Sequence, residues 1–180
     1  MKKILIVVLA LVCFASISHA QKKNMFISGG VEVALPQGDM GDAYTMGYGA
    51  TAAFEIAFSN QLSGIVTAGY IMWSADEDAW GSNVDVSVAS IPILGGVKYY
   101  FDKKGGFYVL GQAGFYMTSG SAEVNGVEIY DDSESDFAVR AGGGYELPIG
   151  KTAMLDISAF YNMIEDANSI GIRAAAKFPL

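Results

Sequence analysis

The sequence predicts an all-β fold: eight antiparallel strands, closed up-and-down into a transmembrane barrel behind a cleavable signal peptide. Three observations carry this. A two-residue alternation of side-chain character begins near Met25 and runs to the end of the chain. The segments that carry it are joined by connections that alternate short and long. The final segment, Ser169–Leu180, is the clearest. Ile170, Ile172, Ala174, Ala176 and Phe178 fall on one face, and Gly171, Arg173, Ala175 and Lys177 on the other. Successive residues of a strand point to opposite faces, so such a strand needs an apolar medium on one side and polar partners on the other. A closed barrel is the β solution that leaves no unpaired edge in lipid.

The first twenty residues read as a secretory signal. Lys2 and Lys3 precede an apolar run, Ile4–Ile17, and Ser18-His19-Ala20 offers a small-residue cleavage site before Gln21. The run is shorter than the ~20 residues a spanning helix needs. Cys13 lies inside it behind the bulky Val12, which argues against a lipid-anchoring cysteine. The expected division is residues 1–20 as signal peptide and 21–180 as one barrel domain. Cys13 and His19 are the chain's only cysteine and histidine, so cleavage would remove both. A thiolate nucleophile, a disulfide and a histidine general base are then excluded. Without Lys2 and Lys3 the chain carries 9 basic residues against 19 acidic, a net charge of −10. That balance argues against nucleic-acid binding.

The strands follow in order. Strand one covers about Met25–Leu35, with Ser28, Gly30 and Glu32 on its polar face. Strand two, Met46–Phe58, turns Tyr48, Phe54 and Ile56 one way and Thr51 and Glu55 the other. Strand three, Leu62–Trp73, alternates less cleanly, because Ile65 and Ile71 share the polar face. Strand four opens with Val84, Val86 and Val88 and closes with Ile93, Val97 and Tyr99. The two sets have opposite parity, so a β-bulge is expected near Ser90–Pro92. Strand five is Phe107–Met117, strand six Asp136–Leu147 and strand seven Thr152–Met163, with strand eight the segment described above. Ser59-Asn60-Gln61, Asp102–Gly106 and Pro148–Lys151 are short turns at one end. Pro36–Thr45, Asp76–Asn83 and Ser119–Ser135 are longer loops at the other, the last with an Asn125-Gly126 hairpin tip. In such barrels the short turns are periplasmic and the loops extracellular.

The two faces differ in a way that places them. The apolar face carries rings near strand ends, among them Tyr48, Phe58, Tyr99, Phe107, Phe115, Tyr161 and Phe178, as interfacial girdles do. The opposite face carries Glu32, Glu55, Lys98, Arg140, Glu146, Asp156, Arg173 and Lys177, acids and bases mixed. An ion network inside a narrow lumen is expected from them. The rival reading is a soluble, lipocalin-like barrel with the apolar face inward around a hydrophobic ligand.

Two stretches resemble a known family: Ile91-Pro92-Ile93-Leu94-Gly95-Gly96-Val97-Lys98-Tyr99-Tyr100-Phe101 with Gly106-Phe107-Tyr108-Val109, and Ala141-Gly142-Gly143-Gly144-Tyr145-Glu146-Leu147-Pro148-Ile149-Gly150-Lys151. They resemble the small bacterial outer-membrane β-barrels, similar to OmpX and the OmpA membrane domain, and more narrowly the Bacteroidetes-type barrel domain. The resemblance implies the bacterial outer membrane as location, lipid as surroundings, and the barrel-assembly machinery as a partner during biogenesis. Phe178 is the implied assembly signal, although Pro179 and Leu180 follow it.

Composition and resemblance together point away from catalysis, since enzymes of this architecture rely on histidine. No cofactor is expected, and a monomer is. An eight-stranded barrel is narrow enough to be filled by its own side chains. The expected function is therefore structural or surface-interacting, with a plugged lumen; a narrow ion leak is the alternative. The long loops are acidic, and no Lys or Arg falls in them. These acids read either as a solvated surface or as hard oxygen ligands for Ca²⁺ or Mg²⁺. The ligand candidates are Asp76, Glu77, Asp78, Asp131, Asp132 and Glu134. Trp80 occupies a ligand position of the faint calcium-loop pattern after Asp76, which breaks it.

Overall fold

The computed structural model describes residues 25–75, 84–102, 106–124, 127–150, 152–165 and 167–180, with backbone alone for 84–86, 122–124 and 127–132. Residues 1–20, expected as a signal peptide, lie outside the described residues. Eight strands are present: β1 (Met25–Pro36), β2 (Tyr44–Ala57), β3 (Leu62–Ala75), β4 (Val84–Tyr100), β5 (Phe107–Val124), β6 (Val127–Ile149), β7 (Ala153–Ile164) and β8 (Ser169–Pro179). Each pairs antiparallel with the next, and β1 pairs with β8 to close the barrel. The seam extends to the last residue, where the Leu180 N–H donates to the Met25 carbonyl at 2.9 Å. A short helix, α1 (Asp39–Ala43), stands in the first long loop, where a plain loop was expected.

The faces separate by parity. Val31, Phe54, Val66, Val97, Phe115, Phe137 and Ile172 are exposed on the outside, while Glu32, Glu55, Lys98, Arg140 and Arg173 are buried inside. This is the reverse of the soluble, ligand-filled reading, which it overturns. Outward rings pair at two levels: Phe107 meets Tyr145 at 4.4 Å between centroids beside the turn into β5, and Phe115 meets Phe137 at 5.9 Å at mid-strand. The turn at Ser59–Gln61 is tight, with the Phe58 and Ser59 N–H groups both donating to the Leu62 carbonyl. Gly150 adopts φ 71° directly after β6, a conformation that a side chain resists.

Two expectations about the strands need correction. The bulge near Ser90–Pro92 is absent: β3 and β4 keep one register from Leu62↔Tyr99 to Ser74↔Ser87, and β4–β5 is equally unbroken. The β3–β4 ladder merely skips Ile91 and Pro92, as a residue without an N–H requires. What changes along β4 is the polarity of each face. Val88 packs inward against the buried cluster of Ala34, Ile71 and Trp73, while Ser87 is exposed outside. At this end of β4 the inward face is thus apolar and the outward face polar, so the hydrophobic parity flips without an extra residue.

The second correction concerns Ser119–Ser135, read as a loop. β5 and β6 continue through it as a paired hairpin to Val124↔Val127, with one register shift near Ala122. Val124, Val127 and Ile129 supply strand propensity, and the hairpin tip expected at Asn125-Gly126 lies outside the described residues. β6 therefore begins nine residues before Asp136.

Candidate functional site: the charged lumen

The eight inward ionisable residues are the buried charged residues of the described chain: four carboxylates, Glu32, Glu55, Glu146 and Asp156, and four cations, Lys98, Arg140, Arg173 and Lys177. They form two groups. The larger lies near the periplasmic turns. Strand pairing sets Glu146 opposite Asp156 across β6–β7. Lys98 reaches over from β4 and donates to both, at 3.0 Å to Glu146 Oε1 and 2.8 Å to Asp156 Oδ2. It also stands 3.5 Å from Glu55 Oε2. Lys177, from β8, donates to Glu55 at 2.8 Å and to Glu146 at 2.9 Å.

Two tyrosines knit this group together. The Tyr100 hydroxyl lies 2.9 Å from Glu55 Oε1 and 2.8 Å from Glu146 Oε1, and accepts from Lys177 at 3.0 Å. Tyr108 donates to Asp156 Oδ1 at 2.5 Å, and its ring sits 4.0 Å from the Lys98 ammonium. A charge removed from water is stabilised only when its lone pairs and protons are matched nearby. Here each lysine meets at least two carboxylates.

The second group lies further towards the loops and is built around Arg140. Its Nη2 donates to Glu32 Oε1 and to the Tyr116 hydroxyl, both at 2.9 Å, and its Nε donates to Asn162 Oδ1 at 2.7 Å. The guanidinium lies 3.8 Å over the Phe160 ring, which stacks it as a planar cation. Gly171 makes this possible: a Cβ there would collide with the Phe160 ring, so a larger residue would push the ring into the guanidinium's place. Glu32 Oε2 has no hydrogen-bond partner. Arg173 lies between the groups, donating to Thr51 at 2.7 Å and Ser28 at 3.0 Å, with Asp156 at 3.8 Å.

The sequence reading singled out the charges, set Ser28 and Thr51 on the polar face without naming them as partners, and missed the tyrosine hydroxyls that complete the shells: Tyr100, Tyr108 and Tyr116. Parity could have found the tyrosines. Tyr100 shares the face of Lys98, and Tyr108 and Tyr116 that of Gln112. Of the expected cation ligands, Asp76, Glu77 and Asp78 lie outside the described residues. Asp131 and Asp132 fall on β6 with only their backbone described, and Glu134 is exposed on the same strand. Among the described residues no three potential ligands gather into a metal site. Phe178 points outward beside Ile27, its partner on β1.

The family model described as the outer membrane protein beta-barrel domain matches residues 4–178. The chain belongs to that family. It is a protein of the bacterial outer membrane. Among solved structures, it is similar to Ail, the attachment invasion locus protein of Yersinia pestis, at 15% identity. That match covers 88% of this chain and 100% of Ail, with a TM-score of 0.66. Neisserial surface protein A is similar at 16% identity, 87% and 97% coverage, and a TM-score of 0.57. The outer membrane protein OprG of Pseudomonas aeruginosa is similar at 11% identity, 89% and 95% coverage, and a TM-score of 0.52. At such identities the likeness shows the shared fold. A search of curated protein sequences gave no match.

Proposed function

We propose that this outer-membrane barrel is a non-catalytic surface-interaction protein whose lumen is plugged by its own ion network. The plug rests on the even balance of four cations and four carboxylates, joined across the lumen by contacts of about 3 Å. An eight-stranded barrel has room for little else. The interaction role rests on the sheet above the barrel. β6 pairs with β7 only from Ala138 onwards, so its segment 127–137 continues beyond its last β7 contact while still paired with β5. Ser133 has a partner of its own; the rest of that edge, with no strand beside it among the described residues, is a template for an added strand, and the acids along it protect against self-pairing. Glu128, Asp131, Asp132, Glu134 and Asp136 make a basic, extended segment the matching partner. The names of Ail and neisserial surface protein A fit a surface role for this fold.

Two measurements test this reading. Planar-bilayer recording should show no porin-scale conductance; a stable open channel would overturn the plug. Backbone amide exchange in nanodiscs should slow across 127–137 when an alternating Lys-Val peptide is added, and not with its Glu-Val counterpart. Equal behaviour with both peptides would overturn the edge as the interaction surface.

A further inference from the structure

On the outer wall of the extracellular end, β2, β3, β4 and β5 enclose an open cleft of about 560 Å³. Its position coincides with the change in outward polarity. Moving up the paired strands, the outward rows run Ile91–Met117, then Ala89–Ser119, then Ser87–Ser121. Met72 and Ser74 extend the upper two rows onto β3. The first row is apolar and the last is hydroxyl-bearing, so the membrane boundary crosses the cleft. On its lower side stand Tyr48, Tyr70 and Met72, each between two-fifths and one-half exposed. Among the described residues that line it, none is charged.

We infer that this cleft binds the uncharged sugar headgroup of an outer-leaflet glycolipid. The chemistry of each half supports that occupant. Serine hydroxyls both donate and accept, which matches the hydroxyls of a hexose. Tyrosine rings offer flat apolar faces and a polar tip suited to a sugar at a membrane interface. The apolar row beneath meets the lipid chains to which the sugar is attached. A phosphate headgroup would look for Lys, Arg or a helix N-terminus, and the described lining residues supply none. The volume lies within the roughly 300–1,000 Å³ of small-molecule sites. The site is separate from the lumen network and from the β6 edge, so it stands or falls independently of the role proposed above.

The test uses the barrel in nanodiscs of phosphatidylcholine. To these is added either about 10 mol % of a monoglucosyl diacylglycerol or the same fraction of phosphatidylglycerol. Saturable shifts of the Ser87, Ser119 and Ser121 amide resonances are expected with the glycolipid only. The double variant S87V/S119V, which keeps strand propensity, should weaken that response about tenfold. S87T/S119T, which keeps both hydroxyls, should restore it. Heat-modifiable migration on gels confirms that each variant folds. Equal shifts with phosphatidylglycerol would reduce the cleft to an ordinary lipid contact and overturn the inference. An unchanged response in a folded S87V/S119V barrel would overturn it too.

Discussion

Near the periplasmic turns two lysines share three carboxylates, whereas nearer the loops Arg140 faces the single carboxylate of Glu32. The two groups hold charge inside one barrel by different means. Each lysine carries a compact ammonium that several acids can approach at once, and Lys98 and Lys177 both contact Glu55 and Glu146. Loss of one leaves the other within reach of two of the same acids. Arg140 is a planar fork whose remaining donors go to neutral partners, Tyr116 and Asn162. Glu32 has its direct ion pair with Arg140 alone, and Arg173, opposite it on β8, adds a more distant charge. The lower group is redundant and the upper one is not, although both are equally buried.

The largest effect should come from removing that redundancy. Lys98→Met with Lys177→Met would strand Glu55, Glu146 and Asp156 with Arg173 as their remaining cation. Breaking one buried pair costs about 3–5 kcal/mol. The double variant should exceed the sum of its two singles, because each single leaves the surviving lysine in place. Equilibrium urea unfolding from lipid vesicles, run on both singles and the double, measures the coupling. Additive losses would mean that the lysines act as separate pairs.

Arg140→Ala is next, with an expected loss of about 3–5 kcal/mol in the same assay, because Glu32 loses its direct ion pair and keeps only the more distant charge of Arg173. Adding Glu32→Gln should recover part of this. Glu134→Ala, on the exposed part of β6, serves as the reference and should stay within about 0.5 kcal/mol.

The faces can be compared in the same way. Ala174 points outward opposite Val31, and its neighbour Ala175 points into the lumen at 2% exposure. Ala174→Arg should reduce folding into bilayers by about 2–4 kcal/mol, the range for a cation at the lipid-facing midplane. That penalty should shrink in thinner bilayers. The damage from Ala175→Arg, crowding and an unmatched lumen charge, should be insensitive to thickness.

Much of this arrangement was legible in the chain. Strict alternation on β8 gave the inward position of Arg173 and Lys177, and the same parity argument located Glu55, Lys98, Arg140 and Asp156. Partnership was not legible. Lys98 sits on β4, yet its closest acids come from β6 and β7, across the lumen rather than along a ladder. Parity names a face and is silent about what lies opposite across a closed cylinder. The polarity reversal at Val88 was misread as a bulge for a related reason. Alternation records polarity, and above the membrane the apolar side is the interior. The continuation of β5 and β6 was hidden by acids that suit a loop and an exposed strand equally.

Tyr100→Phe gives the finest test of the comparison. The hydroxyl stands between Glu55 and Glu146 and accepts from Lys177, so it ties two carboxylates to one cation. Hydrogen bonds to charged groups contribute about 1.5–3 kcal/mol, and the two lysines still neutralise the acids once the hydroxyl is gone. The loss should therefore fall at or below the lower end of that range. Tyr116→Phe removes a hydroxyl from a group with one carboxylate, where Arg140 must then leave a donor unmatched. It should cost more than Tyr100→Phe by urea unfolding, even though Tyr116 touches a single charged partner. The opposite order would show that the lower group depends on its tyrosine bridge rather than on the redundancy of its lysines.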